Sequence, residues 1–160
     1  ARSPKHPLVP QGLGWQLLDQ TSAVLPETVD QMGWIIGDTG FEMSLSPEVP
    51  SLIGNTLPET MTAFLEQHNL TKEQITDWAV HPGGPRILLS VEQSLRLETD
   101  TLEMSREVLS QFGNMSSATI FFILESLFVQ TKQTHRSGQP DTCVAMAFGP
   151  GLTTELALFQ

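Results

Sequence analysis

The apolar residues of this chain keep two different periods in succession, and neither an all-helical nor an all-β fold accommodates both. Phe41, Met43 and Leu45 alternate with Glu42 and Ser44, the two-residue period of a half-buried strand. Val49, Leu52, Ile53, Leu57, Met61, Phe64 and Leu65 then recur every three or four residues, which puts them on one face of a helix. Further strands precede this switch. Trp15, Leu17, Leu18 and Val24 stand among polar residues in a strand that Pro26 ends, and Trp34–Ile36 forms a short strand before the turn Gly37-Asp38-Thr39-Gly40. Ser46-Pro47 supplies a hydroxyl cap and a first-turn proline for the helix, and Pro58 is expected to kink or split it. Thr71 caps a short helical turn, and Thr76–Val80 is a brief strand.

Pro85 opens a helix with Ile87, Leu88, Val91 and Leu95 on one face, and Ser105 is expected to cap another that stops at Gly113. Residues 120–124 are apolar all round, which predicts a helix buried on most sides. Thr142–Phe148 and Leu152–Phe159 read as strands joined by a Gly149-Pro150-Gly151 turn. The resulting order, ββ-α-β-α-α-α-ββ, predicts an α/β fold with a mixed sheet packed by helices in α-β-α layers. Residues 1–12, with three prolines and a glycine, read as a lead-in or linker, and residues 13–160 as one domain.

Composition excludes several classes of function. Eight basic against eighteen acidic side chains give a net charge of −10, with no basic cluster, which argues against nucleic acid or an anionic membrane as partner. Apolar content of 39% is enough for a packed core. A single cysteine excludes an internal disulfide framework, and no His/Asp/Glu constellation has metal-ligand spacing. No apolar run is long enough to span a bilayer, and the N-terminus carries no apolar signal segment, so the expected location is cytoplasmic. The chain opens on Ala1 rather than Met, as expected of a piece excised from a longer protein.

Two corners carry polar chemistry. His81 sits in His81-Pro82-Gly83-Gly84-Pro85, where a strand ends and a helix begins, and Asn114 precedes a buried helix. Ligands of α/β proteins collect at such places. A neutral imidazole and a carboxamide can each donate one hydrogen bond, and aimed together they would hold a thioester oxygen or an enolate. A structural hydrogen-bonding histidine and a helix-capping asparagine are the plainer readings of the same residues. Cys143 lies inside a strand before Val144, Ala145 and Met146, as a small buried apolar residue would.

His81-Pro82-Gly83-Gly84-Pro85, Arg106-Glu107-Val108-Leu109-Ser110, Gly113-Asn114-Met115-Ser116-Ser117-Ala118 and Phe148-Gly149-Pro150-Gly151-Leu152-Thr153 follow one another along the chain. Taken in that order, these four motifs resemble the C-terminal half of the type III polyketide synthases, the chalcone-synthase-like family of the thiolase superfamily. The resemblance implies a thiolase-like half whose cysteine-bearing partner half is absent from these residues. It implies an acyltransferase that condenses an acyl-CoA starter with malonyl-CoA by decarboxylation, with His81 and Asn114 completing a Cys–His–Asn triad. Phe41 resembles an aromatic gate residue and Met32 falls near a cavity-lining position. The resemblance also implies that Arg86 lies where the pantetheine arm would enter, that Ser116 faces the cavity, and that Gly149, Pro150 and Gly151 shape its floor. Coenzyme A thioesters are the implied substrates, with no metal or redox cofactor, in a homodimer.

The sequence around Gly37–Phe41 and Leu45–Pro50 looks closer to microbial members, which implies alkylpyrone or alkylresorcinol products. Two alternatives accompany this reading. An initiating ketoacyl carrier-protein synthase shares the fold, but its corner usually reads His-Gln-Ala-Asn. A non-catalytic thiolase-like binding or dimerisation module would dispense with the cysteine. Starter length, number of extensions and ring closure depend on cavity volume and are not written in these residues.

Overall fold

A computed structural model describes residues 14–134 and 141–160. The predicted lead-in, residues 1–12, lies outside them. Strand β1 (Leu17–Val24) is followed by β2 (Met32–Gly37), β3 (Gly40–Leu45), helix α1 (Val49–Glu66) and β4 (Asp77–Val80). Helices α2 (Pro85–Leu95), α3 (Glu103–Phe112) and α4 (Thr119–Thr134) lead to strands β5 (Cys143–Gly149) and β6 (Thr153–Phe159). Three strands, rather than two, precede the first helix. The short stretch around Trp34 is a full strand because it pairs along its whole length with β3, from Met32 opposite Leu45 to Gly37 opposite Gly40.

The main sheet has the order β1-β6-β5-β4, and β2-β3 forms a separate ribbon. It is mixed: β1, β6 and β5 pair antiparallel, whereas β4 and β5 run parallel. Alternation along the buried strands feeds two cores, one per face. Trp78, Val80, Val144, Met146, Leu156 and Leu158 meet α1 and α2 on one side. Ala79, Cys143 and Ala145 meet Val108, Ile123, Leu124 and Leu127 of α3 and α4 on the other. The α-β-α layering expected from the sequence is therefore present.

Several local expectations are corrected. Helix α1 starts at Val49, not at Pro47. The Ser46 hydroxyl accepts the Glu48 N–H at 3.2 Å in a turn ahead of the helix, and Pro50 occupies the first turn. Pro58 does not split α1, because Ile53 and Leu57 before it and Met61 and Phe64 after it are all buried in one core. Ser105 does not cap α3 but lies inside it, fully buried. Phe41, Met43 and Leu45 are exposed rather than half-buried, since the β2–β3 ribbon is not covered on that face by other described residues. Helix α4 is likewise open on one side, with Phe121 at 69% and Phe122 at 40% exposure. Among the described residues, no helix is long and apolar enough to cross a membrane.

Candidate active site

Parallel pairing brings β4 and β5 to the same edge of the sheet at their C-terminal ends. Val80 is level with Met146, and the His81 N–H donates to the Met146 carbonyl at 2.8 Å. Beyond Met146, β5 runs into Gly149-Pro150-Gly151, so this loop and the His81 corner share one rim. Gly151 has a φ of +70°, a left-handed conformation that favours glycine, and its N–H donates to the Met32 carbonyl at 2.9 Å. Met32, half-buried against the core, is thereby moored to the same rim. Phe41 is not. It lies near the tip of the ribbon, opposite Ile36, 71% exposed and packed edge-on against Trp34.

His81 is half-buried, and desolvation holds its pKa below the ordinary imidazole value. The ring is accordingly neutral at neutral pH, the form with one N–H to donate. The corner is tight: the Gly83 N–H donates to the His81 carbonyl at 3.0 Å, and Pro85 then fixes the first turn of α2. Arg86 is exposed in that turn, where the helix dipole already favours an anion.

Asn114 arrives from the opposite direction. Helix α3 stops at Gly113, whose φ of +71° turns the chain out of the helix. The Asn114 carboxamide oxygen accepts the Ser116 N–H at 2.9 Å, which fixes which end of the amide faces away. The nitrogen end points toward the first corner, 3.5 Å from the Gly83 carbonyl, at the long limit of a hydrogen bond. The two corners thus meet, although Asn114 itself is exposed. Ser116 is exposed too, at a φ of +58°, and its backbone rather than its hydroxyl engages Asn114. The Thr119 hydroxyl accepts the Met115 N–H at 2.9 Å and steadies the loop from below.

Two supports escaped the sequence reading. One is the Gly83 carbonyl, which no side-chain pattern announces. The other is Ser105, whose hydroxyl accepts the Val80 N–H at 3.2 Å, one residue before His81. The available signal was its spacing, three residues before Val108 and four before Leu109, on the apolar stripe of α3.

Cys143 sits at the far end of the strand pair, level with Asp77 rather than with Val80. It is fully buried, and desolvation, with the Asp77 carboxylate adding to it, pushes its thiol well above the usual range. A cleft of about 750 Å³ opens at that same far end and includes none of the predicted site residues. Six carboxylates, Glu73, Asp77, Glu98, Asp100, Glu103 and Glu107, line it against two cations, Lys72 and Arg96, an excess of negative charge that disfavours an anionic thioester.

The fold, a layered mixed sheet with polar groups at the ends of its parallel strands, belongs to the thiolase-like α/β class. It superposes on a crystal structure of PKS-I from the brown alga Ectocarpus siliculosus with a TM-score of 0.85 at 28% identity, over 91% of this chain and 39% of that one. Residues 16–160 match the family of chalcone and stilbene synthases, C-terminal domain, and the chain belongs to that family. It is 32% identical over 152 residues to a 1,3,6,8-tetrahydroxynaphthalene synthase of Streptomyces peucetius subsp. caesius, covering 94% of this chain. It is 31% identical over 145 residues to a putative chalcone synthase of Bacillus subtilis (strain 168), covering 91%. The chain spans 39% of the length of each of these two relatives. It also matches 5% of the length of polyketide synthase 37 of Dictyostelium discoideum, at 31% identity.

Proposed function

We propose that this chain provides the histidine and asparagine of a Cys–His–Asn triad in a decarboxylating, condensing acyltransferase of polyketide synthesis. The observation that supports this most directly is the meeting of the two corners on one rim, with the Asn114 amide nitrogen turned toward the corner that holds His81. The nucleophilic cysteine lies outside these 160 residues, since Cys143 is buried at the other end of the sheet.

In this reading an acyl group passes from coenzyme A to that cysteine, the coenzyme A thiol leaving, and a neighbouring imidazole favours the thiolate that attacks. Malonyl-CoA then presents its thioester oxygen to the His81 N–H and the Asn114 NH2. Loss of CO2 leaves the bonding electrons on carbon as an enolate, whose oxygen these two neutral donors stabilise. The enolate carbon attacks the acyl thioester, forms the new carbon–carbon bond and expels the cysteine sulfur. Decarboxylation drives the bond formation, so the scheme calls for no metal or redox cofactor. Arg86 at the start of α2 suits a coenzyme A phosphate, and Met32 with Gly149, Pro150 and Gly151 forms one wall of the acyl cavity. Ser116 borders it, and Phe41 acts as gate only when the ribbon tip is covered by the rest of the enzyme. The expected setting is a cytoplasmic homodimer.

Replacing His81 with Gln in the enzyme that carries this chain tests the reading. Condensation of acyl-CoA with radiolabelled malonyl-CoA should fall by on the order of a hundredfold or more, the usual consequence of losing a principal oxyanion donor. Near-normal turnover would remove His81 from the mechanism and favour a binding or dimerisation module instead.

A further inference from the structure

We propose that Ser105 is a positioning residue for the His81–Asn114 pair; this rests on the function proposed above. Strand β4 is an edge strand of the main sheet. The Asp77 and His81 amides donate inward, to the Thr142 and Met146 carbonyls of the neighbouring chain segment. By strand alternation the Val80 amide between them points outward, away from the sheet. Among the described residues it has no strand to pair with there, and Val80 is fully buried, so water cannot serve it. The Ser105 hydroxyl accepts it instead.

This bond joins two parts of the site that are far apart in sequence. Val80 is bonded directly to His81. Ser105 belongs to α3, which runs without a break to Phe112 and delivers Asn114 two residues later. The helix behaves as a rigid arm hinged on β4 at Ser105. The next residue braces it sideways, the Arg106 guanidinium donating to the Glu92 carboxylate of α2, the helix that leaves the His81 corner. At the far end of the arm, among the described residues, the link back to the corner is the long hydrogen bond from Asn114 to Gly83. The distance between imidazole and carboxamide is therefore set at the Ser105 hinge more than at the site. A small rotation there is magnified along α3 into a displacement at Asn114, and misplacement by about 1 Å can cost on the order of a hundredfold in rate.

The test compares Ser105→Ala, Ser105→Thr, Asn114→Ala and the Ser105→Ala/Asn114→Ala double variant in the enzyme that carries this chain. Rates are taken per folded enzyme, with kcat and KM for malonyl-CoA measured separately. Ser105→Ala should lower kcat by about tenfold or more, with KM within roughly twofold of wild type. Ser105→Thr, which keeps the hydroxyl, should recover most of the rate. In the Asn114→Ala background the Ser105→Ala change should add little, because the group it positions is gone. Should Ser105→Ala not fold, Ser105→Cys, of similar size but a poor acceptor, takes its place and is read the same way. A wild-type kcat in Ser105→Ala, or a full independent loss in the double variant, overturns the positioning role while leaving the triad reading intact. Normal turnover in both His81→Gln and Asn114→Ala overturns the triad reading and this proposal with it.

Discussion

Partial burial governs the charge of His81: desolvation disfavours the imidazolium and keeps the ring neutral. Because its pKa is depressed in the fold, its contribution to stability is complete above the ordinary imidazole range. That contribution is lost as pH falls from that range toward the depressed value, where the unfolded chain takes up the proton first. An NMR titration of the His81 ring should give a midpoint below that of a solvent-exposed histidine, and a midpoint at or above it would contradict the burial. Cys143 makes the complementary prediction. Its buried, raised thiol should resist alkylation in the native protein and react only in denaturant, as read by intact-mass measurement. At this scale the sequence was informative where residue type and backbone chemistry coincide. His81-Pro82-Gly83-Gly84-Pro85 can hardly be anything but a corner. It was uninformative about Asn114, where cap and donor had been competing readings. The structure has the carboxamide oxygen accepting the Ser116 N–H and the nitrogen end facing the Gly83 carbonyl, an orientation set by the loop after Gly113 rather than by residue type.

Among the elements, α2 and the β5–β6 hairpin follow directly from periodicity and turn residues, because the apolar positions that define them, Ile87, Leu88, Val91 and Leu95 in α2 and Val144, Met146, Leu156 and Leu158 in the hairpin, are buried within the chain. Helix α1 departs from expectation for a tertiary reason. Pro58 removes one amide from the ladder, yet four buried side chains around it hold the helix in place. Pro58→Ala should therefore restore that hydrogen bond and raise stability by about 1 kcal/mol, measured as a shift in the denaturant midpoint. A loss of stability would mean that the proline suits a bend the helix requires. The β2–β3 ribbon departs in the other direction. Its alternation was real, but alternation tells only which side chains share a face, not whether anything lies against it. Trp34, Ile36, Phe41, Met43 and Leu45 share such a face and are all more than half exposed. Ser105 was misread as a cap because a hydroxyl near a helix start is usually one. That it serves a strand edge instead depends on how α3 lies against β4, which local sequence does not encode.

At the scale of the whole chain, the layered sheet and its rim were legible because three of the four motifs fall at the ends of elements that the patterning already located. What stayed hidden is the open side of the molecule. The 160 residues by themselves should not condense malonyl-CoA, since their single thiol is buried away from the His81 rim. Product from the isolated chain in a radiolabel assay would overturn the triad assignment. The uncovered ribbon face and the Phe112, Phe121 and Phe122 rings beside the Asn114 corner also bear on how the isolated chain behaves in solution. Copies bearing such patches attract one another at short range, and the net charge of −10 is the long-range force that keeps them dispersed. Salt shortens the reach of that repulsion to about 8 Å near 0.15 M and about 3 Å at 1 M. Light scattering from the isolated chain should accordingly climb as ionic strength rises, the reverse of what electrostatic self-assembly would produce.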